Sequence, residues 1–320
     1  MFLVTGATGF IGGHLVERLL ASGVPARVLV RRADRDWPCA AVRCDLATGV
    51  GLEEAVAGVE AVIHLAGATK ALSPEGYYRG NVLAAANLAR ALAGRSVRLV
   101  HVSSQAAAGP SPDATPVDED APPHPISQYG RSKLESERVV REIKPDTVIV
   151  RPPAVYGPRD TGVFRILKSV ARGWSLQIGG GERWFSAVYV DDLVDGLIRA
   201  ASGPGGTPPA GRTYFMAHPQ PNSWSGFAAT AARIMRVKPR SLRVPLPAAY
   251  AVGYCAEIWA QATRRPGIVS RDKIDEARCR YWLCDSSHAL AELGWQAATS
   301  LADGLAETLA WYKEAGWIRY

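Results

Sequence analysis

Cysteine is scarce in this chain, at 5 of 320 residues, an odd number with no Cys-x-x-Cys spacing. That argues against a disulfide framework and fits a reducing compartment. Cys279, Cys284 and His288 lie close in sequence, but a zinc site needs a fourth ligand and regular ligand spacing, so no metal site is expected. Long apolar runs are equally rare. The stretch from Val244 to Ala262 approaches membrane-spanning length, yet Pro245, Pro247 and Glu257 interrupt it and Arg264-Arg265 follow. A span wants about 20 predominantly apolar residues, so this stretch reads as an amphipathic helix covering a substrate cavity, with peripheral membrane contact as the alternative. No leader peptide is expected, because the first strand starts at the initiator Met1, and the cytoplasm is the expected location. No internal repeat or low-complexity tract is evident.

Charge of one sign is in excess, with 37 Lys and Arg against 30 Asp and Glu. The net charge of +7 would suit nucleic acid or an anionic surface. The arginines are scattered, however, with no basic stripe interleaved with aromatics, which argues against nucleic-acid binding. With 48% apolar and 21% charged residues, the composition is that of an ordinary soluble globular chain. A chain of this length can bury roughly three quarters of its extended surface, enough for one large domain or two unequal ones.

What the chain does have begins at its first residues. Met1-Phe2-Leu3-Val4-Thr5 runs into glycines at Gly6, Gly9 and Gly12, and Ile11, Leu15 and Leu19 then recur at helical spacing until Ser22-Gly23. Glycine lets the backbone turn tightly and approach a pyrophosphate without a Cβ in the way, with the helix N-terminus aimed at the anion. A second strand follows at Ala26 to Val30, the setting that gives such a glycine spacing its meaning. A site selective for NAD carries an acidic residue about 20 positions on; here the position holds Arg31-Arg32. A guanidinium fork suits a ribose 2′-phosphate, so NADP(H) is the expected cofactor and NAD the alternative. A solvated basic turn is the competing reading of these arginines, since Arg27 and Arg35 are close by.

The first half alternates short apolar strands with helical patterns, the signature of a parallel sheet covered on both faces. Further strands are expected at Ala41 to Cys44, Ala61 to Leu65, Val97 to Ser103 and Thr147 to Arg151, with helices at Tyr77 to Ala93 and Tyr129 to Ile143. The fold class is therefore α/β, a doubly wound parallel sheet of the Rossmann type with a smaller C-terminal substrate-binding lobe. Residues 1–152 form the nucleotide-binding part, Ala187 to Ala201 returns to the main sheet as strand and helix, and residues 153–320 mainly bind substrate. Ligands of such sheets lie beyond the carboxyl ends of the strands. Gly6, Arg31, Asp45, Ala66-Gly67 and Ser103-Ser104 all fall at such ends.

Tyr129 and Lys133 stand four residues apart in Ser-Gln-Tyr-Gly-Arg-Ser-Lys and so project from one helical face. An ammonium near a phenol favours phenolate, which would bring the tyrosine down from about 10 toward working pH for proton exchange with a hydroxyl or carbonyl oxygen. Lys133 can also hold the nicotinamide ribose. Ser104, at the end of the preceding strand, would donate a hydrogen bond to the same oxygen.

These motifs, in this order, resemble the extended short-chain dehydrogenase/reductase family, the NAD(P)-dependent epimerase/dehydratase superfamily. The resemblance covers nearly the whole chain and adds Asp45-Leu46, His64-Leu65-Ala66-Gly67, Asn81, Arg151-Pro152 to Tyr156-Gly157-Pro158, and Val190-Asp191-Asp192. It implies that Thr8, Phe10 and Ile11 within the glycine loop, Leu65, Ala66 and Gly67, and Pro152 line the cofactor. It also implies that Asp45 and Leu46 contact adenine, that Asn81 lies on a helix near the cofactor, and that Ser104, Tyr129 and Lys133 are the catalytic triad. A homodimer through paired helices, the Tyr129 helix among them, is a further implication.

Two departures bear on substrate. Ala154 and Phe185 occupy positions where sugar-nucleotide epimerases of the family carry Asn and Arg, so a diphosphate would lose an amide and a cation, each worth about 1.5 to 3 kcal/mol. Arg183 could compensate only if its loop were displaced. With the apolar stretch after Val244 and the ending Leu293-Gly294-Trp295 through Trp311-Tyr312, the pattern looks closer to the 3β-hydroxysteroid dehydrogenase and dihydroflavonol reductase branches. The expected activity is interconversion of a secondary alcohol and a ketone on a largely apolar, steroid- or flavonoid-like molecule. The alternatives are a nucleotide-sugar epimerase or dehydratase holding NAD tightly and, more distantly, a non-catalytic NADP(H) sensor.

Overall fold

The computed structural model describes residues 1–32, 36–203, 209–267 and 269–320. Arg35 of the basic turn lies outside them. Six strands occur where periodicity places them, to within one residue at each end: β1 (Phe2–Thr5), β2 (Ala26–Val30), β3 (Ala40–Arg43), β4 (Ala61–His64), β5 (Arg98–Val102) and β6 (Val148–Arg151). A seventh, Thr213–Phe215, pairs with β6, giving the order Thr213–Phe215, β6, β5, β4, β1, β2, β3. Every pairing in this sheet is parallel.

The apolar runs explain the layering. β1, β4 and β6 are buried at every position, as strands covered on both faces must be. Alternate residues then divide between two cores: Leu3, Val62 and Leu99 pack with Leu88, Leu92 and Val140 on one face. Val4, Ile63 and Val100 pack with Leu15, Leu19, Leu193 and Leu197 on the other. After β3 the chain returns to lay β4 beside β1 on its other side, so the order reverses there and a crevice opens beyond the carboxyl ends of β1 and β4.

Two expectations change. The strand beginning at Ala187 does not join the main sheet: Ala187–Tyr189 pairs with Ala154–Tyr156 as a separate parallel pair. Pro152-Pro153 removes two backbone donors just after β6 and turns the chain away, while Thr213–Phe215 takes the vacated edge. The helix that follows, Val190–Ser202, does lie against the main sheet through Leu193 and Leu197. The helix expected from Tyr77 starts earlier, at Pro74 under a Ser73 cap, and passes through a π-helical segment at Tyr78–Leu83 before resuming at Ala84–Leu92.

The C-terminal lobe has its own core, in which Tyr156, Leu167, Phe227, Leu305, Leu309 and Tyr312 meet. The apolar stretch after Val244 forms the helix Leu246–Thr263. Its buried residues are small, Ala249, Gly253 and Ala260, whereas Val252, Tyr254, Ile258 and Trp259 are exposed. It is therefore not the amphipathic cover expected. Among the described residues no helix is long and apolar enough to cross a membrane.

Candidate active site

The glycine loop leaves β1 at Gly6, whose φ of +73° lies in the left-handed region. A Cβ there would sit 2.7 Å from the Ala66 nitrogen, and one on Gly12 would sit 2.3 Å from the Gly6 carbonyl oxygen. The loop is thus packed backbone to backbone against the end of β4. Gly9 opens the helix Phe10–Ala21, with no side chain capping its first turn, so the amides there point outward as an anion site requires. Thr8 is exposed, and Phe10 and Ile11 are half-buried at the helix start. Thr5 Oγ1 ties the two strand ends, accepting from the Ala66 amide at 3.2 Å and lying 2.7 Å from His64 Nδ1. A cradle whose floor has no room for side chains, beneath a free helix N-terminus, fits the pyrophosphate of a dinucleotide.

Arg31 and Arg32 follow β2 and are exposed. Arg27 is not part of that basic turn, because its guanidinium donates to the Glu54, Ala55 and Ala57 carbonyls. Asp45 ends the next connection, its carboxylate accepting from the Ala47 amide at 2.9 Å, and Leu46 beside it is buried. Asn87, which sequence reasoning missed, holds this turn by donating to the Leu46 and Ala47 carbonyls. Nothing in its spacing marks it, since it lies on a helix between Ala86 and Leu88.

Beyond β4, Leu65, Ala66 and Gly67 run along the crevice. Asn81 clamps them: its Oδ1 accepts from the Ala68 amide at 2.7 Å, and its Nδ2 donates to the Ala68 carbonyl at 3.1 Å and to Ser132 Oγ at 2.8 Å. Ser132 belongs to the helix Gln128–Ile143, so Asn81 joins the crevice wall to the helix that carries Tyr129 and Lys133. Its place in the π-helical segment is one where such bulges recur at functional sites. A Cβ on Gly67 would lie 2.9 Å from Asn81 Oδ1 and 3.9 Å from Lys133 Nζ.

Ser104, Tyr129 and Lys133 come together at the carboxyl end of β5. Ser104 caps the short helix after that strand by accepting from the Ala106 amide at 3.2 Å, and the Gln105 amide donates to the Pro152 carbonyl at 2.9 Å. Lys133 is 4% exposed and donates to the Val102 carbonyl at 2.8 Å. Burial brings its ammonium down to about 8, with Glu137 opposing. Burial pushes the Tyr129 phenol up to about 12; a hydrogen bond with Ser104 pulls it back, and Glu276 and Tyr77 add to the rise. The sequence-based expectation of a lowered phenol is not met, because desolvation of the phenolate outweighs every favourable contact.

Beneath Lys133 lie His64 and His101, stacked at 5.3 Å and both held neutral by burial, with Lys133 adding to the effect. Glu137, one turn beyond Lys133, makes a bidentate pair with Arg151 at 3.0 and 2.7 Å, both side chains buried. The site's other wall comes from the helix Arg271–Arg278. Asp272 accepts from the Gln128 amide at 3.0 Å, and Lys273 Nζ lies 5.2 Å from the centre of the Tyr129 ring while pairing with Glu276 at 2.6 Å. Sequence reasoning missed this wall entirely.

At the positions that bear on substrate, Phe185 packs with Trp224 and Phe227 at 6.3 and 5.9 Å, and Ala154 is exposed. Arg183 donates to the Ala277 carbonyl at 2.7 Å. Asp191 of the Val190-Asp191-Asp192 motif pairs with His14 at 3.1 Å, and Asp192 accepts from the Thr299 amide at 2.9 Å. That motif therefore ties the two lobes together and reaches no reacting atom.

Residues 2–213 match the NAD dependent epimerase/dehydratase family. The chain is 33% identical to a ceramide reductase of Caulobacter vibrioides, over 98% of this chain and 95% of the relative. It is 29% identical, over 80% of each, to a 4-hydroxy-2-methyl-3-oxo-4-farnesyl-3,4-dihydroquinoline-1-oxide ketoreductase of Stigmatella aurantiaca. Among solved structures, MoeE5 in complex with UDP-glucuronic acid and NAD superposes with a TM-score of 0.79 at 25% identity, covering 98% of this chain and 99% of that one.

Proposed function

For a chain that belongs to the NAD dependent epimerase/dehydratase family, and so is an NAD(P)-dependent extended short-chain dehydrogenase/reductase, we propose reduction of a ketone on a largely apolar, lipid- or steroid-like molecule, with NADP(H) as the exchanging cofactor. The observation that carries the reading is Phe185. Where a sugar diphosphate would need a cation, this position lies among Trp224 and Phe227, and Arg183 is occupied by the Ala277 carbonyl. Burying a diphosphate against aromatic rings with no cation to meet it is strongly unfavourable. The names of the two relatives support the same direction, since one is a ketoreductase of a farnesyl-bearing oxo compound and the other a reductase acting on a ceramide.

When bound, the nicotinamide supplies the hydride. In this proposal Gly6, Gly9 and Gly12, with Thr8, Phe10 and Ile11, hold the pyrophosphate half. Arg31 and Arg32 take the 2′-phosphate, Asp45 and Leu46 border the adenine, and Leu65, Ala66, Gly67 and Pro152 line the nicotinamide half. Asn81 acts through Ala68 as a positioning residue. Lys133 donates to the nicotinamide ribose as well as to Val102. Tyr129, held protonated by burial, gives its proton to the ketone oxygen as hydride reaches the carbon, and Ser104 donates to the same oxygen. Residues 1–152 with the helix Val190–Ser202 serve the nucleotide and the rest of residues 153–320 mainly the substrate. The protein acts in the cytoplasm as a homodimer through the outer face of the Tyr129 helix.

The purified protein should release no nucleotide on denaturation, bind NADPH more tightly than NADH, and oxidise NADPH in the presence of 3-keto lipids of the ceramide class. A stoichiometric amount of released NAD, with no turnover of apolar ketones, would replace this reading by the sugar-nucleotide epimerase one, because an epimerase must keep its cofactor through an oxidise-then-reduce cycle.

A further inference from the structure

The helix Leu246–Thr263 shows water a face that soluble proteins normally bury. Ala251, Val252, Cys255, Ile258, Trp259 and Ala262 recur at helical spacing and are all exposed. Val252 is 58% exposed, Ile258 53% and Trp259 71%. Tyr254 stands beside them at 53%, with the Arg271 guanidinium 5.4 Å from its ring centre. A contiguous apolar patch of this kind marks an interaction site. We propose that this face docks on an anionic lipid bilayer, lying in its interface.

Charge decides between a bilayer and a second copy of the chain. Glu257 is the helix's one charged residue, and it is already engaged by Arg271, whose Nε lies 2.8 Å from it. Arg264 and Arg265 follow at the C-terminal end, both exposed, and Arg243 precedes the N-terminal end. Two copies paired through this face would set basic ends against basic ends in either orientation, while the helix's own acid, Glu257, is already paired with Arg271. Anionic headgroups meet them directly. Trp259 and Tyr254 are the residue types that sit at headgroup level. The helix is not long and apolar enough to span, which leaves the interfacial mode of a helix with an apolar face and flanking basic residues.

The helix also borders the catalytic crevice. Gln261 donates to the Leu72 carbonyl at 2.8 Å, on the loop that continues from Gly67. At Gly253 the helix packs so closely on the Tyr129-covering segment that a Cβ would come within 2.6 Å of Ile274. Docking would thus bring the crevice mouth to the membrane surface, where a lipid ketone resides; this purpose rests on the substrate reading above, whereas the docking itself does not.

The test is co-sedimentation of the full chain with phosphatidylcholine vesicles, with and without phosphatidylglycerol. Wild type should pellet with the anionic vesicles and lose binding as salt rises. Ile258→Glu with Trp259→Glu should weaken it about ten-fold or more, and Arg264→Glu with Arg265→Glu should abolish the salt dependence. Both pairs should keep the wild-type melting temperature and NADPH-dependent turnover of a short, water-soluble ketone. Wild type that does not pellet, or pellets equally with either variant, overturns the proposal. So does a wild-type dimer in sedimentation velocity that Ile258→Glu with Trp259→Glu dissolves without any vesicle binding. Vesicle binding with no ketone turnover would sustain the docking and overturn the substrate reading instead.

Discussion

Replacing Asn81 by Ala tests whether the nucleotide crevice and the reacting helix are held as one unit. The substitution deprives the Ala68 amide of its acceptor at 2.7 Å, and the Ala68 carbonyl and Ser132 Oγ of their donors at 3.1 and 2.8 Å. Ser132 Oγ keeps its own bond to the Tyr129 carbonyl at 2.7 Å. The dominant cost is a buried amide left without a partner, about 1 to 3 kcal/mol, at a site where Asn81 is 1% exposed. At about 2 °C per kcal/mol for a chain of this size, melting should fall by about 2 to 6 °C. Gly67 packs on Asn81 Oδ1, so the loosened wall should also weaken NADPH binding by about ten-fold, or 1.4 kcal/mol. Ser132→Ala removes the acceptor of one Asn81 N–H and a second donor to the helical Tyr129 carbonyl, leaves the Ala68 amide paired, and should cost no more than about 1 kcal/mol, with nucleotide affinity intact. Thermal melts and NADPH titrations of the two variants suffice. If Asn81→Ala matched Ser132→Ala in both, the clamp would be ornamental and the positioning role wrong.

Tyr129→Phe should lower turnover by about 100-fold or more while leaving NADPH affinity within about two-fold, the mark of a group needed for proton transfer and not for binding; a turnover loss accompanied by equal loss of nucleotide binding would point to a merely structural tyrosine. Lys133 is brought down to about 8, so reductive kcat/KM should decline as pH rises through about 8 and the ammonium is lost. Glu137→Gln removes an interaction that raises Lys133, and should move that decline to lower pH, which pH profiles of the two proteins would read directly. The stability sign is the opposite one: between about 8 and the ordinary 10.5 the unfolded chain holds a proton that the native lysine has lost, so this group makes the fold more stable as pH rises across that window. Arg31→Asp should reverse the NADPH to NADH affinity ratio, since a carboxylate repels the 2′-phosphate and accepts from a 2′-hydroxyl; an unchanged ratio would assign the arginine to a solvated turn.

The legible part of this protein is the part whose chemistry is local. Gly9 and Gly12 are forced by close approach to the Gly6 backbone within one strand-turn-helix unit, Gly6 takes the left-handed turn of that unit, and Tyr129 and Lys133 share a face because they lie four residues apart on one helix. Fully buried strands such as Ala61–His64 announce themselves as unbroken apolar runs. What escaped is long-range and chemically ordinary. Thr213–Phe215 is too short to carry a period, and it takes the sheet edge that Pro152-Pro153 denies to the segment after Arg151. Asn87 and Asn81 act through backbone groups, and a lone asparagine on a helix carries no signal of which carbonyl it will meet. The raised Tyr129 phenol has the same origin. A neighbouring lysine can be read from spacing, but the burial that outweighs it depends on the whole fold, and Glu276, whose charge adds to the rise, lies on a helix whose Asp272 meets Gln128 from 144 positions away. That remote wall contributes the Glu276 charge, which adds to burial in holding the Tyr129 phenol protonated above its ordinary range. Glu276→Gln should therefore let the Tyr129 phenol fall and change the pH profile of turnover while leaving NADPH affinity alone; a profile identical to wild type would remove Glu276 from that role.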